Sequence, residues 1–243
     1  MTGPAVASPL RLFLFPPGSG GGGGFARWDR WLPAWCQAVV VAPPGGLHTE
    51  DGQPRFGDLA ELARAVAAGL DRDRPYALFG HSAGAALAWQ VTRELLAAGA
   101  EPPRWLGLSA CAPVPPDLGP GVVSPARPVR SAELGPLLAR MAGPTAADPA
   151  HWAAPVPTLL EEFRLFASWQ PTGSRLPVPV SVLTGTADPL YPGWAVRRWE
   201  QLTVDPPRYH WFTGGHTYWR DHRALLPGTV AADLAAALGG TDG

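Results

Sequence analysis

The segment from Tyr76 to Gly84, YALFGHSAG, constrains this chain more than any other. YALF reads as a buried strand. From Ala83 to Ala98 apolar residues recur at helical spacing, and Gly99 stands where such a helix would stop. Between the two lies Gly80-His81-Ser82-Ala83-Gly84, a G-x-S-x-G motif. A strand that turns into a helix over so few residues leaves no room for side chains at the flanking positions, hence the two glycines. The turn lifts the serine hydroxyl clear of the backbone at a helix N-terminus, where the peptide dipoles favour negative charge. This is the setting of a nucleophilic serine. The plainer alternative is a glycine-flanked turn with an inert serine.

The rest of the chain reads as a frame for that turn. Leu10–Phe15, Ala38–Ala42, Trp105–Ser109, Val178–Thr184 and Arg208–Phe212 are short apolar or β-rich runs, bounded by Pro and Gly, and read as strands. Asp58–Leu70 has helical spacing with Asp58 placed to cap it, and Thr229–Leu238 forms a last helix. Strands alternating with helices predict an α/β fold with a mostly parallel sheet flanked by helices, in one domain over residues 1–243. One interval breaks the alternation. Between Pro113 and Pro177 no strand is legible, only two candidate helices, Ser131–Met141 and Thr158–Trp169. An insertion of that length is expected to be a mobile helical lid, over residues 117–176.

The composition excludes other classes. The net charge is −1, with no block of like charges, so no electrostatic footprint for nucleic acid or an anionic membrane is present. No apolar run is long enough to span a bilayer, and the first residues lack the apolar stretch of a signal peptide. Cys36 and Cys111 give neither a disulfide framework nor metal-ligand spacing; they are expected as reduced core thiols in a cytoplasmic protein. The 30 prolines and 29 glycines sit between the apolar segments and read as loops.

A serine nucleophile needs a base and an acid that orients it, in the chain order Ser, Asp or Glu, His for this kind of sheet. Asp188, in GTADPL, follows the strand ending near Thr184; His216, in FTGGHTYW, follows the strand ending at Phe212. Both stand at strand C-termini, where such sheets place their ligands. Taken singly, Asp188 could be a turn former and His216 a packed core histidine. His81 is expected to pack beneath the serine, and His210, inside a strand, to be structural; His48, His151 and His222 lack any such context. Backbone N–H groups of Ala83, next to the nucleophile, and of Gly18, in the loop after the first strand, are the candidates to bind an oxyanion. That loop also matches a dinucleotide fingerprint at Gly18, Gly20 and Gly23. In a glycine run the match is almost automatic, and the acidic residue required about 20 positions on is missing.

FPPGSGGGGGF (Phe15 to Phe25), FGHSAGAALAWQ (Phe79 to Gln90), LSACAP (Leu108 to Pro113), EEFRLFASW (Glu161 to Trp169), GTAD, Trp199 and GGH (Gly214 to His216) together resemble the type II thioesterases of polyketide and nonribosomal peptide assembly lines. The resemblance implies an α/β-hydrolase fold with a helical lid and a triad of Ser82, Asp188 and His216, with Gly18 and Ala83 as oxyanion donors. It implies hydrolysis of acyl groups from the phosphopantetheine arm of a carrier protein, with neither metal nor cofactor, the pantetheine belonging to the substrate. A monomer is expected; Arg127 and Arg130 are candidates to aid carrier docking, the plainer reading being a solvated surface. Two loops depart from the family pattern. Pro43-Pro44-Gly45-Gly46-Leu47-His48 lacks the usual Arg-Glu pair after Pro-Gly, and the glycine run Gly20 to Gly24 is longer than usual. An esterase on free small esters, an acyltransferase or cyclase using the same acyl-serine, and a binding protein with a silent triad are the alternatives.

Overall fold

A computed structural model of the chain describes residues 9–17, 22–113, 156–171 and 173–239. Six strands form one parallel sheet: β1 (Leu10–Phe15), β2 (Cys36–Val40), β3 (Tyr76–His81), β4 (Leu106–Ser109), β5 (Val180–Gly185) and β6 (Arg208–Phe212), in the spatial order β2-β1-β3-β4-β5-β6. The chain moves outward from β1 to β2, then crosses back to β3 on the other side of β1. The C-terminal ends of β1 and β3 therefore flank the point where the strand order reverses, the usual position of a ligand crevice.

Both faces of the sheet are covered, which explains the near-continuous apolar strands. Along β1, Phe13 and Phe15 join one buried cluster, while Leu10, Leu12 and Leu14 join the other. The first cluster is packed by α2 (Leu59–Gly69) and α3 (Ala83–Ala97). The second is packed by Phe25, at the end of the short helical turn α1 (Gly22–Phe25), by Trp28, and by Leu226, Val230 and Leu234 of the last helix, Leu225–Gly239. Helix α2 begins as its sequence demands: Asp58 accepts the Glu61 N–H at 2.7 Å, and Glu61 accepts the Gly57 N–H at 2.6 Å. Helix α3 ends with Gly99 at φ +69°; the Gly99 N–H bonds Leu96 O and the Ala100 N–H bonds Leu95 O, both at 3.0 Å.

Among the differences from the sequence reading, three have a physical reason. The second strand pairs from Cys36 opposite Leu10, two residues before the expected start, and it is an edge strand rather than a buried one: Val40 is 39% exposed. The glycine loop contains the turn α1, where a Cβ on Gly24 would lie 2.2 Å from the Trp219 ring. The last helix starts at Leu225, because Pro227 falls in its first turn, where a missing N–H has no helical acceptor to lose.

The segment expected to be a lid falls largely outside the described residues, including its first candidate helix, Ser131–Met141. Its second helix, α4 (Val156–Ala167), is tied to the body. Arg164 is paired with Glu161 at 2.6 Å and donates to Gly57 O at 2.8 Å and Phe56 O at 2.5 Å. The Leu59 N–H bonds Ser168 Oγ at 2.9 Å, and Leu165, Phe166 and Trp169 are buried in the first cluster. Two short elements, α5 (Gly193–Val196) and a 3-10 turn at Arg197–Gln201, precede β6, and the last helix is α6. Among the described residues no helix is long and apolar enough to cross a membrane.

Candidate active site

The serine turn is built by exclusion. An added Cβ on Gly80 would sit 2.1 Å from Gly84 O, and one on Gly84 would sit 2.2 Å from Phe15 O and 2.4 Å from Pro16 O. Only glycine at both positions lets α3 start so close to β1 and β3. Ser82 itself is held at φ +57°, a left-handed conformation that non-glycine residues rarely adopt. Its N–H bonds Ser109 O at the end of β4, at 2.8 Å. The strain is thus held by the neighbouring strand.

Asp188 follows β5 in a tight turn, its N–H on Gly185 O at 3.2 Å. Gly185 must lack a side chain because a Cβ there would lie 2.3 Å from Gly215 O, so the two strand-end loops touch through glycines. Gly214, at φ +121°, turns the chain after β6 and delivers His216. The three sequence candidates meet. His216 Nε2 lies 2.9 Å from Ser82 Oγ, and His216 Nδ1 lies 2.9 Å from Asp188 Oδ2. The other oxygen, Asp188 Oδ1, accepts the N–H groups of Leu190 and Tyr191, at 2.8 and 3.4 Å. Asp188 is therefore both a turn former and the partner of His216. A carboxylate only accepts, so Nδ1 carries the proton of a neutral His216, and Nε2 is left to accept from the Ser82 hydroxyl. His216 is 1% exposed and Ser82 9%. The arrangement can move a proton from the serine and hold the resulting imidazolium against a buried carboxylate.

Ala83 is the first residue of α3, where backbone N–H groups have no intrahelical acceptor. Gly18 lies outside the described residues. Pro16 and Pro17, which lead to it, share a cavity of about 290 Å³ with Ala83 and Gly84. Leu47, Leu59, Leu62 and Leu87 give that cavity an apolar wall, and Leu165 and Phe166 of α4 close its far side. Arg127, Arg130 and His151 also fall outside the described residues.

His81 is fully buried beneath the serine, its ring 5.5 Å from that of His216. Burial pushes its proton affinity well below the ordinary histidine value, and the charges of His216 and Arg220 push the same way, outweighing the opposing pull of the His216 backbone. His81 is therefore neutral. Its Nδ1 lies 2.7 Å from Ser109 Oγ, which lies 2.6 Å from the Tyr218 hydroxyl. Residue patterns gave no sign of this chain: Ser109 reads as the end of an apolar strand and Tyr218 as one more aromatic. His210 bonds Asp233 at 2.7 Å and His222 bonds Thr213 O at 2.8 Å, both away from the serine. Cys36 and Cys111 are buried and free. Burial first, then Asp29, pushes the Cys36 thiol up to about 12; burial, then Asp188, raises that of Cys111 further. Neither is a nucleophile. Among the described residues no cluster of His, Cys, Asp and Glu could hold a metal ion.

Comparison with known proteins places the chain in a family. The family model for the thioesterase domain matches residues 10–233. A protein described as "Probable cadicidin biosynthesis thioesterase" from Streptomyces griseus is 28% identical over 240 residues, which cover 95% of this chain and 64% of that one. The chain thus spans less than two thirds of that relative's length. Thioesterase PikA5 from Streptomyces venezuelae is 26% identical, over 98% of this chain and 86% of its own. Among solved structures, the RedJ thioesterase of the prodiginine biosynthetic pathway in Streptomyces coelicolor superposes with a TM-score of 0.76 at 27% identity, covering 96% of this chain and 90% of that one.

Proposed function

Since the chain belongs to the thioesterase family, we propose that it hydrolyses acyl thioesters held on the phosphopantetheine arm of a carrier protein in a polyketide or nonribosomal peptide assembly line, with Ser82 as nucleophile. The observation that carries this reading is the continuous relay from Ser82 Oγ through His216 to Asp188, in a turn that opens beside an apolar cavity.

Ser82 Oγ attacks the thioester carbonyl carbon as its proton passes to His216 Nε2. Asp188 keeps Nδ1 protonated and stabilises the imidazolium. The carbonyl oxygen, now anionic, is held by the N–H groups of Ala83 and Gly18, each worth about 2.7–4 kcal/mol of barrier. The carbon–sulfur bond breaks, and the pantetheine sulfur leaves with the proton from His216. Acyl-Ser82 remains. Water then attacks the ester, giving its proton to His216, and the second tetrahedral adduct collapses to free acid and Ser82. Protein groups alone run both steps. The mostly apolar cavity wall, formed by leucines and Phe166 with Glu162 among its polar groups, suits an apolar acyl group.

The test compares kcat/KM for one acyl group on a carrier protein, on N-acetylcysteamine and on p-nitrophenol. Remote binding energy from the carrier orients the thioester at Ser82. A carrier advantage above about tenfold, or 1.4 kcal/mol, is expected. Equal or better turnover of the p-nitrophenyl ester, corrected for its better leaving group, would instead identify an esterase on free esters.

A further inference from the structure

Three residues outside the serine, histidine and aspartate relay join its separate parts. His81 is the last residue of β3, immediately before the nucleophile. Ser109 is the last residue of β4, and its backbone carbonyl fixes the Ser82 N–H. Tyr218 begins the 3-10 turn that follows His216, its own N–H on Gly215 O at 3.2 Å. All three side chains are 1% exposed or less. The hydroxyl of Ser109 bridges His81 Nδ1 and the Tyr218 hydroxyl, at 2.7 and 2.6 Å.

We propose that His81, Ser109 and Tyr218 are positioning residues for the base: a buried, uncharged chain that fixes the His216 loop against the nucleophile turn. It rests on His216 acting as the base. The chain adds hydrogen bonds between two loops that otherwise meet through the relay and through the ring contacts of His81 with His216 and Trp219. Its His81 end lies beside the His216 ring, at 5.5 Å, with the His81 and Tyr218 rings 5.9 Å apart. Charge neutrality belongs to the arrangement. An imidazolium at His81 would face the positive charge that His216 acquires during the reaction, in a site with little water to screen it. Burial, before any hydrogen bond, also raises the Tyr218 hydroxyl far above its ordinary value, so the link stays neutral at that end too. His81 Nε2 finds no hydrogen-bond partner among the described residues. A buried polar atom left so is normally selected against, which suits a histidine kept for the link at its other nitrogen. Among the described residues, the charged or titratable groups facing this chain are His216, Asp188, Arg220 and His222, whose ring lies 6.4 Å from that of Tyr218.

The experiment uses Tyr218→Phe, Ser109→Ala and the double variant, with an acyl-N-acetylcysteamine substrate and a fluorophosphonate label for Ser82. Each single variant is expected to lower kcat between about tenfold and a hundredfold with KM near that of wild type, since loss of orientation acts on the reacting geometry. The acid limb of the kcat/KM profile is expected to move to lower pH, because a loosened His216 is less stabilised as a cation by Asp188. The double variant should lose no more than the worse single one, since both break the same chain. Thermal melting, read in parallel, separates this from a structural role. Variants that melt lower but keep the wild-type pH profile and labelling rate would overturn the proposal. So would strictly multiplicative losses. A wild-type protein that neither turns over the thioester nor takes the label at Ser82 would instead overturn the catalytic reading on which the proposal rests.

Discussion

Among the described residues two aspartate–histidine pairs stand, and each has a serine within hydrogen-bond reach. Asp188 and His216 are 2.9 Å apart, with Ser82 beyond; Asp233 of α6 and His210 of β6 are 2.7 Å apart, with Ser181 of β5 beside them. The residue types are the same and the distances alike. The connections are not. His216 gives Nδ1 to its aspartate, so that Nε2, the nitrogen far from its own backbone, reaches Ser82. His210 spends Nε2 on its aspartate, and Ser181 donates to that same aspartate, at 2.5 Å, rather than to the histidine. One set is a relay; the other is two donors converging on a carboxylate. Position completes the difference. The relay stands in loops beyond the strand ends, while Ser181 and His210 lie within strands and Asp233 within a helix, where together they clamp α6 to the sheet.

The largest separation between the two sets should appear at the serines. Ser82→Ala is expected to lower kcat by about 10⁶, and His216→Gln by a similar factor, with the fold intact in each case. A fluorophosphonate should label wild type and not Ser82→Ala. Ser181→Ala should label and turn over as wild type does, while melting lower, because Asp233 and Trp105 Nε1 both lose a buried partner. A label that persists in Ser82→Ala would remove the distinction between the sets.

The aspartates come next. Asp188→Asn is expected to lower kcat by about 10⁴, since an amide can force the wrong tautomer on His216. Asp233→Asn should leave kcat unchanged and reduce stability by about 1–3 kcal/mol, read by denaturant melts. That loss has a pH signature. Burial raises the proton affinity of Asp233, but the hydrogen bonds from His210 and Ser181 and the Arg208 charge outweigh it, so its carboxyl titrates below the ordinary range. A carboxyl lowered on folding contributes stability above its unfolded value of about 3.9 and loses it as pH falls through the folded one. The stability gap between wild type and Asp233→Asn should therefore be constant near neutrality and close below about pH 4.

How much of this was legible in the sequence follows the same division. The relay was readable because each member is announced by backbone chemistry: Gly80 and Gly84 where a side chain would collide, and glycines beside Asp188 and His216 where two loops touch. The clamp was half readable. His210 inside a strand looked structural, but Asp233 sits in GTVAADLAAAL, an apolar run without a polar face to mark which side it lies on. The edge position of β2 was hidden because AVVVA reads as buried whatever its neighbours. Ser109 and Tyr218 were invisible for another reason. Their partnership joins β4 to the turn after β6, and no local pattern records a contact that distant in sequence.

The smallest expected effect sharpens the comparison most, because it asks whether His210 matters at all. Asp233 has three partners: Ser181 Oγ at 2.5 Å, His210 Nε2 at 2.7 Å, and Arg208 Nη1 at 3.4 Å. Replacing His210 leaves two of them, so the carboxylate is not orphaned, and an orphaned buried charge is what makes such losses severe. Gln at this position can still present a donor to Asp233. A half-buried hydrogen bond that is lengthened rather than lost contributes about 0.5–1 kcal/mol. In a domain of this size that amounts to a melting shift of about 2–4 °C or less. His210→Gln should therefore melt within that margin of wild type, label with fluorophosphonate at the same rate, and keep the same kcat/KM profile across pH. The identical substitution at His216 removes the proposed base. A measurable fall in kcat at His210→Gln, with stability unchanged, would mean that the second pair communicates with the relay through β6, and the separation drawn from their connections would no longer hold.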